Sequence, residues 1–268
     1  MIRDKVTTET IRRKVDGGEK IVTVTAYDYF TAKFADRAGV DIILVGDSLG
    51  MVMLGYENTL PVTMEEVLHH TKAVTRCRPR AMVVADMPFL SYQIDVREAV
   101  VNAGRFVKEA GADAVKLEGG IQVIDAVRAV LRASIPVMGH VGLTPQSILK
   151  FGGYRVQGRG EEGGAAVMKD ALALDEAGCF SMVLEGIPVA LGAEITSAVR
   201  AATIGIGAGP ECDGQVLVCH DLLGINDEIS PKFVRRYASL GDEIQRAFEK
   251  FAEDVRSGAF PSDKESYS

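Results

Sequence analysis

Six side chains able to hold a cation or move a proton recur at or just beyond the ends of short apolar runs: Asp47, Asp86, Lys116 with Glu118, His140 and Glu185. One such residue would be an ordinary solvated strand end. Their recurrence on five separate runs points instead to a shared pocket at the C-terminal ends of parallel strands, where (β/α) barrels place catalytic groups. Lys116 and Glu118 are two apart, so an extended strand points both to one face and Leu117 to the other. Three carboxylates sharing such a pocket would repel one another unless a cation sat among them. Oxygen ligation without cysteine or an H-E-x-x-H helix favours magnesium over zinc, and magnesium keeps waters or substrate oxygens in its shell. The chemistry this set would support is metal-assisted.

The elements that must position these groups alternate along the chain. Candidate strands fall at 20–26, 41–46, 81–86, 113–118, 135–140, 180–185, 201–207 and 215–220, the last being the weakest. Helical stretches are expected at about 28–38, 64–76, 96–110, 121–132, 163–177, 188–198 and 231–256. Strand and helix in alternation make a parallel sheet, and several of the strands are apolar at successive positions, as when both sheet faces are covered. The fold expected is α/β, a single (β/α)8 TIM barrel over residues 1–268 with an extra N-terminal helix at 4–18. An open doubly wound sheet is the structural alternative. Thr63 with Glu66 three residues later spells a capping box, and Gly111 and Gly178 stand where left-handed caps would end helices. The connection 208–214 is too short for a full helix, so the seventh repeat departs from the ideal. Loops 46–63 and 141–162 are long for strand–helix turns, which is common where loops are functional.

The balance of the chain narrows its partners. Among 268 residues, 30 Lys and Arg face 37 Asp and Glu, a formal charge of −7, and apolar residues make up 47 %. That is globular usage, with no basic stripe to neutralise phosphates, so nucleic acid is not an expected partner. No apolar run approaches the roughly 20 residues of a membrane helix, and no secretory signal is visible, so a cytoplasmic protein is expected. The cysteines at 77, 179, 212 and 219 form no C-x-x-C pair and read as reduced thiols. Residues 158–163, G-R-G-E-E-G, match a dinucleotide fingerprint, but no strand precedes them and Glu161 and Glu162 would repel a pyrophosphate. The glycines of 205–209 fit a tight turn as well as an anion site. His69 and His70 are adjacent, not spaced as a metal pair, and Arg155 and Arg159 are either substrate-carboxylate ligands or solvated loop charges.

Ten motifs, in order and over nearly the whole chain, resemble the ketopantoate hydroxymethyltransferase family. They are T-A-Y-D at 25–28, V-G-D-S-L-G at 45–50, T-L-P-V-T-M at 59–64, A-D-M-P-F at 85–89, V-K-L-E-G-G at 115–120, G-H-V-G-L-T-P-Q at 139–146, F-G-G-Y-R-V-Q-G-R at 151–159, G-I-G-A-G at 205–209, D-G-Q-V-L-V at 213–218 and P-K-F at 231–233. The resemblance implies a (β/α)8 barrel that transfers a hydroxymethyl group from 5,10-methylenetetrahydrofolate to 3-methyl-2-oxobutanoate. The product is 2-dehydropantoate, for pantothenate and coenzyme A synthesis. It also implies a Mg2+ site at Asp47, Asp86 and Glu118, ketoacid binding by Asp47, Ser48, Asp86 and Lys116, and Glu185 as proton acceptor in forming a magnesium-stabilised enolate. A homo-oligomer, commonly a decamer, is implied as well. His140 falls on a site-lining position of the motif set without an assigned step. The alternatives are a magnesium-dependent 2-oxoacid carbon–carbon lyase or phosphonopyruvate mutase-like enzyme on the same barrel, and a catalytically silent barrel serving as an assembly subunit.

Overall fold

A computed structural model describes residues 4–228 and 231–267. In chain order the elements are α1 (Thr8–Asp16), β1 (Ile21–Thr25), α2 (Tyr29–Arg37), β2 (Ile42–Val45), α3 (Leu49–Val52), α4 (Met64–Thr75), β3 (Met82–Asp86), α5 (Val96–Ala110), β4 (Ala114–Lys116), α6 (Ile124–Arg132), β5 (Val137–Gly142), α7 (Ile148–Phe151), α8 (Gly160–Ala177), β6 (Ser181–Glu185), α9 (Val189–Ala198), β7 (Ala202–Ile206), β8 (Gly214–Leu217), α10 (Cys219–Leu222) and α11 (Leu240–Ser257). The strands pair in parallel, each with its sequence neighbour, and β8 closes on β1. This is the (β/α)8 barrel expected from the alternation, and the open-sheet alternative falls with the β1–β8 pairing.

Strand parity decides what fills the barrel. Ile42 and Leu44, Met82 and Val84, Ala114, Met138, Val183, and Ile204 and Ile206 belong to one buried cluster. Alternation then turns the next residue of the same parity inward at the C-terminal end: Asp86 after Val84, Lys116 after Ala114, His140 after Met138, Glu185 after Val183. The lower barrel is therefore apolar and the upper rim ionisable. Below, Val6 and Ile11 of the N-terminal segment join the apolar cluster. Lys14 pairs with the buried Asp41 at 2.9 Å and the Val6 amide donates to the Arg80 carbonyl at 2.8 Å, seating α1 across the strands' N-terminal ends.

The outer helices follow the signals read from sequence. The Thr63 and Glu66 capping box opens α4. On α5, Ala99, Asn102, Ala103, Phe106 and Ala110 are buried at helical spacing, and Gly111 ends the helix with φ +70°. Gly178 ends α8 with φ +99°. Several boundaries differ from expectation. β4 ends at Lys116, so Glu118 lies just beyond the strand rather than at its end. β5 extends to Gly142, placing His140 inside the strand rather than at its end. β8 stops at Leu217, and Cys219–Leu222 turn helical. α11 begins at Leu240 rather than near 231, residues 231–239 being turns and irregular backbone, while 229–230 lie outside the described residues. The chain divides into two compact units, Met1–Val218, which holds the barrel, and Cys219–Ser268, which holds α10 and α11. No helix among the described residues is long and apolar enough to cross a membrane.

Candidate active site

The rim residues meet in a buried ionic cluster. Asp47, Asp86, Lys116, Glu118 and His140 are each at most 4 % exposed, and Glu185 opens further to solvent, with 15 % of its side chain exposed. Lys116 Nζ lies 2.7 Å from both Asp86 oxygens and 3.3 Å from Glu118 Oε1. Their closeness follows from register, since Asp86 and Lys116 are directly opposed on β3 and β4. The Asp47 backbone N–H donates to Asp86 Oδ2 at 3.3 Å, so the turn after β2 is tied to the end of β3. His140 lies between two acids, Nδ1 3.3 Å from Glu118 Oε1 and Nε2 3.2 Å from Glu185 Oε2. Neither contact meets hydrogen-bond angles, so they act as charge contacts rather than directed bonds. Ser48 Oγ shares a hydrogen bond with the hydroxyl of Tyr27 at 2.8 Å, and Tyr27 is 1 % exposed.

The electrostatics describe acids crowded around too few cations. Burial raises the Asp47 carboxyl well above the usual range, and Asp86 and Glu118 raise it further, against Lys116 and the Gln146 amide. Asp86 is raised mainly by burial, with Lys116 opposing. For Glu118 the burial penalty is outweighed by Lys116, His140 and the Gln146 N–H, and its pKa falls to about 2. Burial and Lys116 disfavour a charged His140, yet Glu118 and Glu185 prevail and lift it to about 9. Lys116 is held protonated by Asp86, Glu118 and Asp47 despite its burial.

One oxygen from each of Asp47, Asp86 and Glu118 can be chosen so that all three lie within 4.8 Å of one another. Three buried carboxylates facing one ammonium, with no sulfur donor among them, suit a hard divalent cation. The structure thus brings together the whole rim set expected from sequence, with Ser48 beside Asp47. The remaining signals resolve apart from it. His70 Nδ1 contacts the Tyr27 carbonyl at 2.7 Å and His69 is exposed. Arg155 and Arg159 are exposed. No strand precedes residues 158–163, and a Cβ at Gly209 (φ +94°) would sit 2.7 Å from Val189 Cγ1, the close approach expected of a tight turn.

Residues that motif reading passed over complete the cluster. Gln146, in the turn after β5, donates from its side chain to Asp47 Oδ2 at 3.0 Å and from its backbone to Glu118 Oε2 at 2.9 Å. Tyr92, 2 % exposed, binds Gln146 through its hydroxyl. Gln146 closes the quoted G-H-V-G-L-T-P-Q motif, but a neutral amide carries no charge or spacing signal that would mark it. Over the site, Tyr154 of the loop after α7 donates to Met51 Sδ at 3.5 Å, so the two long loops meet there.

The family model described as Ketopantoate hydroxymethyltransferase matches residues 5–263. The chain belongs to that family. A 3-methyl-2-oxobutanoate hydroxymethyltransferase of Moorella thermoacetica is 58 % identical over 265 residues, covering 99 % of this chain and 98 % of that one. One of the same name from Syntrophus aciditrophicus is 54 % identical over 98 % of this chain and 97 % of its own. Among solved structures, phosphonopyruvate hydrolase in complex with oxalate and Mg2+ superposes with a TM-score of 0.64 at 15 % identity, covering 97 % of this chain and 93 % of that one. A 2,3-dimethylmalate lyase gives 0.62 at 16 %, covering 97 % and 91 %. At such identities these neighbours share the family's barrel and nothing further is inferred from them.

Proposed function

We propose that this enzyme transfers a hydroxymethyl group from 5,10-methylenetetrahydrofolate to 3-methyl-2-oxobutanoate, giving 2-dehydropantoate for pantothenate and coenzyme A synthesis. Family membership supports the substrates, and one geometric observation carries the mechanism: the acid on β6, Glu185, stands apart from the Asp47, Asp86 and Glu118 trio, with His140 between it and Glu118.

In this reading Asp47, Asp86 and Glu118 hold Mg2+, and Asp47, Ser48, Asp86 and Lys116 receive the ketoacid. When bound, the cation supplies Lewis-acid stabilisation of negative charge developing on the keto oxygen. Lys116 offsets the substrate carboxylate. Glu185, less buried than the trio, takes the proton from C3, with His140 Nε2 3.2 Å from its Oε2 to hold it in place. The electron pair left on the substrate forms a carbon–carbon bond to the one-carbon unit of the folate. That unit leaves tetrahydrofolate, water provides the new hydroxyl, and the two folate nitrogens released take up the proton removed from C3 and the one that water gives up. The loops joined at Tyr154 and Met51 limit bulk water over the site during these steps.

The same reading treats residues 1–268 as one catalytic domain, cytoplasmic, working as a homo-oligomer and by resemblance a decamer. An exposed apolar face of α11, with Ile244, Phe248, Phe251 and Val255, supports association, and light scattering would measure the assembly directly.

The deciding experiment follows deuterium uptake at C3 of 3-methyl-2-oxobutanoate with and without Mg2+, then adds methylenetetrahydrofolate. Magnesium-dependent exchange followed by 2-dehydropantoate is expected. Exchange without product would favour a lyase or mutase on the same barrel, and no magnesium-dependent binding at all would favour a silent one.

A further inference from the structure

We propose that Gln146 is a positioning residue for the cation site, its amide selecting which oxygen of Asp47 faces the cation and its backbone N–H orienting Glu118. The proposal rests on the reading that Asp47, Asp86 and Glu118 hold a divalent cation. Gln146 is 5 % exposed, and all four hydrogen-bonding positions of its side chain are engaged. Oε1 accepts from the Tyr92 hydroxyl at 2.8 Å and from Gln93 Nε2 at 3.1 Å. Nε2 donates to Asp47 Oδ2 at 3.0 Å and to the Met87 carbonyl at 2.9 Å.

A half-turn of the amide would set its oxygen against two acceptors, the Asp47 carboxylate and the Met87 carbonyl, and those two contacts fix its orientation. Tyr92 adds to the arrangement: its hydroxyl oxygen accepts the Glu118 backbone N–H at 3.0 Å, and its one proton faces both Gln146 Oε1 at 2.8 Å and the Glu118 carbonyl at 3.0 Å. With the Gln146 backbone bond to Glu118 Oε2 at 2.9 Å, one residue engages one oxygen on each of two acids. Among the described residues no hydrogen bond to Asp47 Oδ1 is found, and Glu118 Oε1 faces Lys116 at 3.3 Å. The two acids are thus oriented before any cation arrives, which lowers the ordering cost of binding one.

The test titrates the full-length protein with Mn2+, reading free ion by its EPR signal and bound ion by its line shape. Gln146→Met keeps side-chain length and the backbone N–H but loses all four side-chain hydrogen bonds. It is expected to weaken Mn2+ binding about 10–100-fold and to alter the bound-ion spectrum, with circular dichroism and thermal midpoint close to the parent's. Tyr92→Phe is expected to weaken binding less. Because both act through one hydrogen bond, the double variant should fall short of the product of the two effects. Asp86→Ala separates the proposal from the reading beneath it. If Asp86→Ala loses Mn2+ while Gln146→Met and Tyr92→Phe both bind within twofold of the parent with its spectrum, the positioning role is overturned and the cation site stands. If Gln146→Met does not fold, Tyr92→Phe decides by the same criterion. Parent-like Mn2+ affinity in Asp86→Ala overturns the cation site and this proposal together.

Discussion

Asp86 and Lys116 are register partners on β3 and β4, both buried, and Lys116 Nζ lies 2.7 Å from both Asp86 oxygens. Among the described residues, the ammonium is the one fixed positive charge beside the three buried acids, and His140 is the other buried group there that can carry one. Breaking a buried pair by removing one partner leaves an uncompensated charge, which typically costs about 3–5 kcal/mol. Lys116→Met should accordingly lower the denaturation free energy of metal-free protein by that order. Added Mg2+ should restore a larger share of stability to the variant than to the parent. Urea titrations with and without Mg2+ check this, and equal stabilisation of both proteins would count against a cation among these acids.

Removing proton-acceptor capacity at β6 should separate binding from chemistry. Glu185→Gln preserves the shape of the side chain and lies outside the acidic trio. Deuterium uptake at C3 should fall by at least about 100-fold, the scale of general-base contributions. Magnesium-dependent ketoacid binding, read by calorimetry, should stay near the parent value. Unchanged exchange would remove Glu185 from the role.

His140 ties stability to alkaline pH. Its pKa is lifted from an ordinary 6.5 to about 9, so the folded state binds this proton more tightly than the unfolded chain. The resulting stabilisation is fully present below pH 6.5 and is lost as pH rises through about 9. Glu118 contributes in the opposite direction at acid pH, since a pKa near 2 gives stability that is present above 4.5 and disappears as pH falls toward 2. The thermal midpoint of metal-free protein should therefore fall between pH 6.5 and 9.5, and His140→Gln should flatten that decline. A parallel decline in both proteins would assign it to other groups.

Gly142 is the backbone counterpart of Glu185. It adopts φ +93°, and an added Cβ would stand 2.3 Å from the Glu185 carbonyl oxygen and 2.7 Å from Ile187 Cγ2. The two residues are register partners at the tops of β5 and β6. Gly142→Ala should therefore destabilise the fold by about 1–3 kcal/mol through backbone strain and displace the chain carrying the base. Deuterium exchange should drop by more than Mg2+ affinity does, because the acidic trio is carried by β3 and by the segments that follow β2 and β4. Parent-like exchange and stability would show that this approach is slack.

Much of the site was legible before any coordinates. Asp86, Lys116 and Glu185 end β3, β4 and β6, and period-2 alternation turns each inward with the apolar residues below it. The weaker eighth strand and the late start of α11 were less legible, because Cys219 and His220 extend an apolar run that the chain uses as a helix, and the helical pattern before 240 includes Pro231.

What the chain's order of residues determined by itself is the alternating barrel, its apolar floor and the ionisable rim, since side-chain direction in a strand depends only on parity. Tertiary structure alone decided which rim residues touch. Asp47 and Gln146 are 99 positions apart, and their hydrogen bond exists because closing β1 onto β8 bends the sheet until the loops after β2 and β5 face each other across its mouth. A neutral amide gains its meaning there from four partners brought in by two other loops, Asp47 after β2 and Met87, Tyr92 and Gln93 after β3. No periodicity encodes that convergence, because it depends on the curvature of the whole sheet rather than on local geometry.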